Sequence, residues 1–455
     1  QKLPSRGVKY RLHTLLWQTP PACKASYCMY LIIYVATMYN DVPKKQVCLT
    51  ALILAISVMG DSMLYGVLPS HLGEFGLTAG FGAGLILSAN RWIRLVSNTW
   101  AAKIFTRFGL RKPFYASVVL AITSTAAYGL FQGFWPLFLS RIAWGICFSI
   151  QLVSLYMVVL RENERYRGRL MGLYNAIFRS GSLIAVLVGG VLVDLIGIKL
   201  SFLIISSIML LCFPVISLIY ESDSYPNLET KQPARSRVLP TGGYPLTFWS
   251  LLTGSRGGVT TQRSRLLAIH YTRFTNTFAI SGLVTATIGL LLKERIGDSL
   301  NIDGFVLGVA TLTGIVLATS WAGEVGLSTY FGGISDKFGR RSVLLICLPV
   351  IILGSAILII KNVFVIVIVV PIVFAATTAS KITLDASAGD LSSDSDKSEV
   401  MSRYATWTDL GAASGPIAGY TLLSVLDIQW VYLFSALLVT SGLLFYILVD
   451  KSSTK

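Results

Sequence analysis

The stretch GGISDKFGRR, residues 332–341, holds three basic side chains and one acid within ten residues. Long apolar runs, 304–332 and 342–361, lie on either side of it. Each run has about the 20 residues that an α-helix needs to cross a bilayer. A short basic connection between two such runs is typical of a cytoplasmic turn, because Lys and Arg are enriched in cytoplasmic loops. The stretch therefore predicts a multispanning membrane protein.

The composition supports the same class. The chain has 455 residues, of which 54% are hydrophobic and 13% are charged, whereas about 25% of the residues of a soluble domain are charged. The net charge of +16 raises the possibility of a nucleic-acid binder, but the basic residues fall in short loops between apolar runs, so no nucleic-acid partner is expected. The six cysteines are scattered, and no nucleophile or metal motif is present. We expect no enzyme activity, no cofactor and no metal site.

Twelve apolar segments are long enough to be membrane spans, and we number them span 1 to span 12. They are residues 47–70, 81–104, 114–132, 135–160, 170–195, 198–220, 267–292, 304–332, 342–361, 363–385, 401–425 and 429–449. The predicted divisions are a basic cytoplasmic N-terminal segment (1–46), a six-helix bundle (47–220), a cytoplasmic linker (221–266), a second six-helix bundle (267–449) and a cytoplasmic tail (450–455).

The Lys and Arg distribution places both termini in the cytoplasm, in an inner (plasma) membrane protein. The linker is rich in Pro, Gly and Ser, with a short surface helix predicted at 246–253. Residues 27–39 are apolar but too short for an ordinary span. They fit an interfacial segment better, with a thirteenth span as the alternative.

The quoted stretch resembles the loop signature of the major facilitator superfamily. The matching residues are Gly332, Asp336, Lys337, Gly339, Arg340 and Arg341. Glycine permits close helix approach, the aspartate is expected to cap a neighbouring helix, and the basic residues stay in the interface. The resemblance implies an all-α membrane protein with two pseudo-symmetric six-helix bundles that works as a transporter. A related loop, 102–112, has Ala102 and Thr106 in place of the glycine and the aspartate.

Two weaker matches follow. Arg141, in RIAWG (141–145), resembles an element whose arginine is associated with proton coupling in some members of the superfamily. The stretch GAASGPIAG (411–419) resembles an exporter element, but it lies in span 11 and not in span 5. Small residues that permit close helix packing explain it equally well.

The two halves align with a constant offset in residue number, which we call the repeat shift. It is the offset that sets Thr106 against Asp336, and the same offset sets Gly181 against Gly411. Applied to the charges inside the spans, the repeat shift sets Arg94 against Glu324 and Arg179 against Asp409.

Each N-terminal cation therefore corresponds to a C-terminal acid. The resemblance implies that helix 2 packs beside helix 11 and helix 5 beside helix 8. We therefore predict the contacts Arg94–Asp409 and Arg179–Glu324. Such pairs act either as gates that open when the halves rock or as static pairs that hold the halves in register.

Several other polar residues are candidate substrate contacts. Arg91 lies one turn from Arg94 and either pairs with Asp61 of span 1 or meets an anionic substrate group. Arg273, with Asn276 nearby, either contacts substrate or extends toward the cytoplasmic interface.

Other residues near these charges have simpler expected roles. Trp321, which the repeat shift sets opposite Arg91, could line a cavity for an amphipathic substrate. Lys381, Asp385 and Asp390 are expected to be interface residues. An i,i+4 pair between Lys381 and Asp385 is the alternative.

The sequence thus favours a monomeric secondary transporter that works by alternating access in the lipid bilayer. The expected substrate is a small organic molecule that is anionic or amphipathic. Protons are the expected coupling ion, and export is the weakly favoured direction. The alternatives are a lipid or lysolipid transporter, an uncoupled facilitator, and a non-transporting membrane receptor on the same fold.

Overall fold

Apolar segments of this length form helices, because a helix satisfies its own backbone hydrogen bonds where no water is available. The computed structural model describes residues 45–109, 111–161, 164–219, 260–302, 305–360, 362–392 and 397–452. The described residues from Gln46 onward belong to one compact unit. The apolar segment 27–39, the helix predicted at 246–253 and most of the linker lie outside the described residues.

Each predicted span coincides with helical structure. The first half contains Lys45–Ser57 and Met59–Val67 (span 1), Phe81–Phe108 (span 2), Arg111–Leu130 (span 3), Phe134–Arg161 (span 4), and Glu164–Ile208, Met209–Leu211 and Cys212–Ser217 (spans 5 and 6). The second half contains Thr260–Asn276, Thr277–Val284 and Thr285–Ile296 (span 7), Val309–Gly326 and Ser328–Phe338 (span 8), Arg340–Ile357 (span 9), Val363–Asp390 (span 10), Lys397–Leu423 (span 11) and Ile428–Ser452 (span 12).

Nine helices in the described residues are long and apolar enough to cross a membrane. Spans 5 and 6 count as one of these nine, and spans 2 and 11 are not among them. A kink at Gly197 separates spans 5 and 6, and the φ of 79° of this residue lies in the left-handed region that glycine adopts without steric cost.

Several predicted boundaries are wrong. Residues Ser299–Ile302 and Phe305–Gly308 form an antiparallel β-hairpin, so span 8 begins at Val309 and not at 304. The β-branched and apolar residues of the second strand look like a helix continuation in the sequence. The helix of span 7 begins at Thr260 and not at 267. The last helix continues through Ser452, into the predicted tail.

The two halves meet along two helix pairs, spans 2 and 11 and spans 5 and 8. Both predicted pairings are therefore confirmed. A side chain at Gly84 would clash with the backbone of Pro416, and one at Gly314 would clash with the carbonyl of Val186. The repeat shift relates Gly84 to Gly314 and Val186 to Pro416. The halves thus repeat the same close packing in the register that the internal repeat predicts.

The small residues of span 11 pack against span 7. A side chain at Gly411 would clash with the carbonyl of Phe274, and one at Gly415 with that of Phe278. Close packing is therefore what these glycines permit. Opposite them, Thr277–Val284 is π-helical, and the Thr285 hydroxyl donates to the Ile280 carbonyl at 2.9 Å. Short π segments inside α-helices are frequent at functional sites.

Candidate functional site

A cavity of about 260 Å³ lies between the two halves. It is lined by residues from both halves, among them nine of the predicted site residues. Those nine are Asp61, Arg91, Arg94, Arg179, Arg273, Asn276, Trp321, Glu324 and Asp409. Lys381, which was expected at the interface, lines the cavity as well. Arg141 is not among the lining residues. Charges that are scattered over the sequence therefore converge on one place.

The tighter of the two predicted cross-half pairs joins spans 5 and 8. Arg179 Nε lies 2.8 Å from Glu324 Oε2, and Lys381 Nζ donates to Glu324 Oε1 at 3.0 Å. The side chains are 31% and 23% exposed for Arg179 and Glu324, so the pair is neither fully buried nor freely solvated. Glu324 is thus held by one cation from each half. The alternative pair between Lys381 and Asp385 is not formed, and Asp385 instead accepts a hydrogen bond from the Tyr404 hydroxyl at 2.5 Å.

The second cross-half pair is looser. Arg94 Nη2 lies 4.0 Å from Asp409 Oδ1. The Arg94 guanidinium also lies 4.4 Å from the centre of the Phe148 ring, and its Nε is buried without a hydrogen-bond partner among the described residues. Because 4.0 Å is longer than a hydrogen bond, this contact is the weaker of the two charged contacts between the halves.

Asp61 pairs with Arg141 and not with Arg91. Arg141 is fully buried; its Nη1 contacts Asp61 Oδ1, and its Nε and Nη2 donate to the carbonyls of Ile86 and Leu87 at 3.1 and 3.0 Å. Of the two alternatives for Arg91, the pair with Asp61 is therefore wrong. The cause is the direction of the side chain on span 4, which the sequence does not reveal.

Asn90 completes the environment of Asp61. Its Nδ2 donates to Asp61 Oδ1 at 3.1 Å. The carboxylate thus receives donors from spans 2 and 4. Arg91, the next residue in the chain, is half-buried at the cavity wall. No carboxylate of the described residues forms an ion pair with Arg91.

Arg273 lies inside the protein and not at the cytoplasmic interface. It is 4% exposed, its Nε donates to Thr408 Oγ1 at 3.0 Å, and its guanidinium lies 5.6 Å from the centre of the Tyr404 ring. The interfacial alternative is therefore wrong, and the polar contact is the one observed. Asn276, one turn further along, donates from Nδ2 to Ser380 Oγ at 3.0 Å. Its Oδ1 has no partner among the described residues.

The lining of the cavity is unbalanced in charge. Its cations are Arg91, Arg94, Arg179, Arg273 and Lys381, and its acids are Asp61, Glu324 and Asp409. Aromatic side chains complete the wall, namely Tyr65, Phe148, Phe178, Trp321 and Phe374. A site with this lining attracts an anion and accommodates an apolar body beside it.

The loop signature forms a compact ion-pair group at one end of the bundle. Arg340 donates from Nη1 to Asp336 Oδ1 at 2.5 Å and from Nε to Asp390 Oδ2 at 3.2 Å. The helix that follows Gly339 has no side-chain cap, so the expectation that Asp336 caps it is wrong. The stretch is helical on both sides of Gly339, which has a φ of 86°. Arg340 thereby ties spans 8 and 9 to the end of span 10.

A further cross-half contact was missed by the sequence. Asp194, on span 5, accepts hydrogen bonds from the backbone N–H of Ala310 at 3.3 Å and of Thr311 at 2.7 Å. The Thr311 hydroxyl donates to the same carboxylate at 2.5 Å. Asp194 thus caps the first turn of span 8, where unpaired N–H groups favour an anion. An acid near the end of an apolar span is the feature in the sequence that could have suggested it.

The comparisons with known proteins agree with this architecture. The Major Facilitator Superfamily profile matches residues 50–322 and 274–455. The multidrug resistance protein MdtG of Proteus mirabilis is 21% identical over 294 residues, 64% of this chain and 66% of that protein. The uncharacterized MFS-type transporter YcaD of Escherichia fergusonii is 25% identical over 313 residues, 68% of this chain and 69% of that protein. The alignments thus span about two thirds of these relatives.

The fold is also similar to a solved structure. A bacterial homologue of the human lysosomal transporter Spinster, in an inward-facing and unoccupied conformation, matches with a TM-score of 0.65 and 15% identity. The match covers 90% of this chain and 97% of that one. Together with the apolar helices and the cavity between two halves, these matches show that the chain is a multi-pass membrane protein of the Major Facilitator Superfamily of transporters.

Proposed function

We propose that the protein transports a small organic anion with an apolar part through the cavity between its halves. The observation that carries this proposal is the cavity lining, in which five cations face three acids beside several aromatic rings. Charged side chains in a membrane protein are costly unless they are paired or serve a solute. The excess of cations therefore supports a negatively charged solute.

Alternating access follows from the cross-half contacts. The pairs Arg179–Glu324 and Arg94–Asp409 each join one half to the other. Rocking of the halves around a central site separates such partners. A substrate anion in the cavity contacts residues of both halves, so that substrate binding and the rocking of the halves are coupled.

We assign proton coupling to Asp409. Glu324 has two cationic partners, and Asp61 has both Arg141 and Asn90. Asp409 has one ion-pair partner among the described residues, at 4.0 Å. Its carboxylate can therefore exchange a proton with the least rearrangement of its surroundings.

Export is the proposed direction. The multidrug resistance protein MdtG is among the relatives, although at low identity. An anion that leaves the cytoplasm also moves with the inside-negative membrane potential, which contributes about 2.3 kcal/mol per charge at 100 mV.

The test uses the full chain in proteoliposomes. Flux of labelled organic anions is measured with and without an imposed pH gradient, for wild type, Asp409→Asn and the surface control Asp427→Asn. We expect the wild-type protein to show flux that the pH gradient drives. Asp409→Asn should abolish this gradient-driven flux but retain anion exchange in the absence of a gradient. Asp427→Asn should behave like the wild type.

Other outcomes separate the alternatives. Flux that ignores the pH gradient would identify an uncoupled facilitator. A lipid transporter would transport a labelled lysolipid but would neither bind nor transport any of the anions. No flux of any solute, with intact folding, would support a non-transporting receptor.

A further inference from the structure

The acids of the cavity can be assigned to cationic partners among the described residues, and Glu324 has two such partners. Asp61 pairs with Arg141, which does not line the cavity itself. Asp409 pairs with Arg94. Glu324 pairs with both Arg179 and Lys381. After this matching, every acid of the cavity has a cationic partner. Two cations of the cavity wall have no carboxylate partner in the described part of the chain, and they are Arg91 and Arg273.

The two arginines belong to different halves. Arg91 lies on span 2 and Arg273 on span 7. Arg91 is half-buried, and Arg273 makes a neutral hydrogen bond to Thr408 and a ring contact with Tyr404. Neither contact neutralises a positive charge. Among the described residues, each half therefore presents to the shared cavity one guanidinium that has no ion-pair partner.

We propose that the substrate carries two negative charges, one bound by Arg91 and the other by Arg273. This inference rests on the proposed transport of an organic anion and narrows its substrate class. A dianion places one negative charge at each arginine, whereas a monoanion leaves one of the two arginines without an acidic partner. A dianion also links the halves, because its two charges are held from opposite sides.

The size of the cavity limits the substrate further. Its volume of about 260 Å³ is below the range of about 300–1,000 Å³ that is usual for drug-sized ligands. The substrate class is therefore a compact dianion with a short apolar or aromatic part. Dicarboxylates and phosphate monoesters both have this chemistry, and arginine binds both groups in a bidentate manner.

Matched ligand pairs test the inference. The purified full-length protein is titrated calorimetrically at pH 8 with heptanedioate and heptanoate, and with phenyl phosphate and methyl phenyl phosphate. Each pair differs mainly by one negative charge. We expect the dianion of at least one pair to bind about tenfold or more tightly than its partner, as one additional charge-assisted hydrogen bond would provide.

Variants connect this preference to the two arginines. Arg91→Gln and Arg273→Gln should each reduce the dianion preference to within about threefold, since either change removes one charge-assisted contact. Arg91→Lys and Arg273→Lys should retain most of it. Arg263→Gln, an exposed site on the helix of Arg273, is the matched control and should leave the preference unchanged. Thermal unfolding confirms that each variant is folded.

The outcomes separate this inference from the function on which it rests. Equal binding of monoanions and dianions would overturn the dianion inference and leave anion transport intact. A dianion preference that survives both glutamine variants would also overturn the assignment. Failure of every anion to bind would overturn both. A dianion preference in the carboxylate pair alone, or in the phosphate pair alone, supports the inference. It also identifies whether the substrate carries two carboxylates or a phosphate monoester.

Discussion

Arg179 of the first half lies 2.8 Å from Glu324 of the second half. Under the repeat shift, this contact corresponds to that between Arg94 and Asp409, which is 4.0 Å long. The two contacts are related by the internal repeat but differ in strength. Lys381 accounts for part of the difference, because it binds Glu324 and no second cation pairs with Asp409 among the described residues.

Because Lys381 also binds Glu324, removing Glu324 and removing Arg179 should have unequal effects on stability. Glu324→Gln leaves Arg179 and Lys381 close together without an acid, whereas Arg179→Gln leaves Glu324 paired with Lys381. We expect Glu324→Gln to lower the free energy of unfolding by about 1–3 kcal/mol more than Arg179→Gln, since an unpaired charge inside a protein is costly. Thermal unfolding in detergent measures the difference. Equal effects of the two variants would show that Lys381 does not support Glu324.

The Asp194 cap should hold the predicted outer end of the bundle closed. Asp194→Ala removes an anion from the first turn of span 8, which costs about 0.5–2 kcal/mol for a capping residue. We expect an increased population in which that end is open. Distances between spin labels at Gly73→Cys and Ser424→Cys, with the native cysteines replaced, measure it. The control Thr311→Val removes one of the three hydrogen bonds to Asp194 and should have a smaller effect. Label distances in Asp194→Ala that equal those of the wild type would show that the Asp194 cap does not hold this end closed.

The close packing of spans 5 and 8 should tolerate no side chain at Gly314. A Cβ there would clash with the Val186 carbonyl, whereas one at Gly326, on the same helix, meets no atom within 4 Å. We expect Gly314→Ala to destabilise the protein by about 1–3 kcal/mol, the usual cost of overpacking. Gly326→Ala should be neutral or slightly stabilising. The two melting temperatures provide the comparison, and equal values would show that the halves separate without cost.

The buried pair of Asp61 and Arg141 should be required for folding of the first half. Arg141→Gln should destabilise the protein by about 3–5 kcal/mol, because it leaves a carboxylate without its cation. Asp61→Asn should have a similar effect, and the double variant should be less unstable than the sum of the two. Arg141→Lys should not rescue stability, since a lysine cannot reproduce three directed bonds. A rescue by lysine would show that charge alone matters.

Much of the fold was predictable from the sequence. The twelve apolar segments all coincide with helices, because a run of about 20 apolar residues has few alternatives inside a bilayer. The predicted boundaries were less accurate. The hairpin at 299–308 and the early start of span 7 at Thr260 depend on local pairing and solvent exposure, which hydropathy alone does not specify.

The cross-half pairs were predictable for a different reason. An internal repeat converts an offset in sequence into a relationship in space. Arg94 and Arg179 stand out in the sequence because charges inside apolar segments are rare. The repeat shift set them against Glu324 and Asp409. The helix packing that the family resemblance implies then exchanged these two acids and gave the predicted partners.

By itself, then, the sequence determined the helices and their repeat, and together with the helix packing that the family resemblance implies it predicted the two pairs across the halves. The tertiary structure decided that Asp61 binds Arg141 and not Arg91, that Lys381 turns into the cavity, and that Asp194 caps span 8. These contacts depend on the rotation of each helix about its axis and on distances between helices remote in sequence. Neither quantity follows from hydropathy or from the repeat, because packing of the whole bundle sets both.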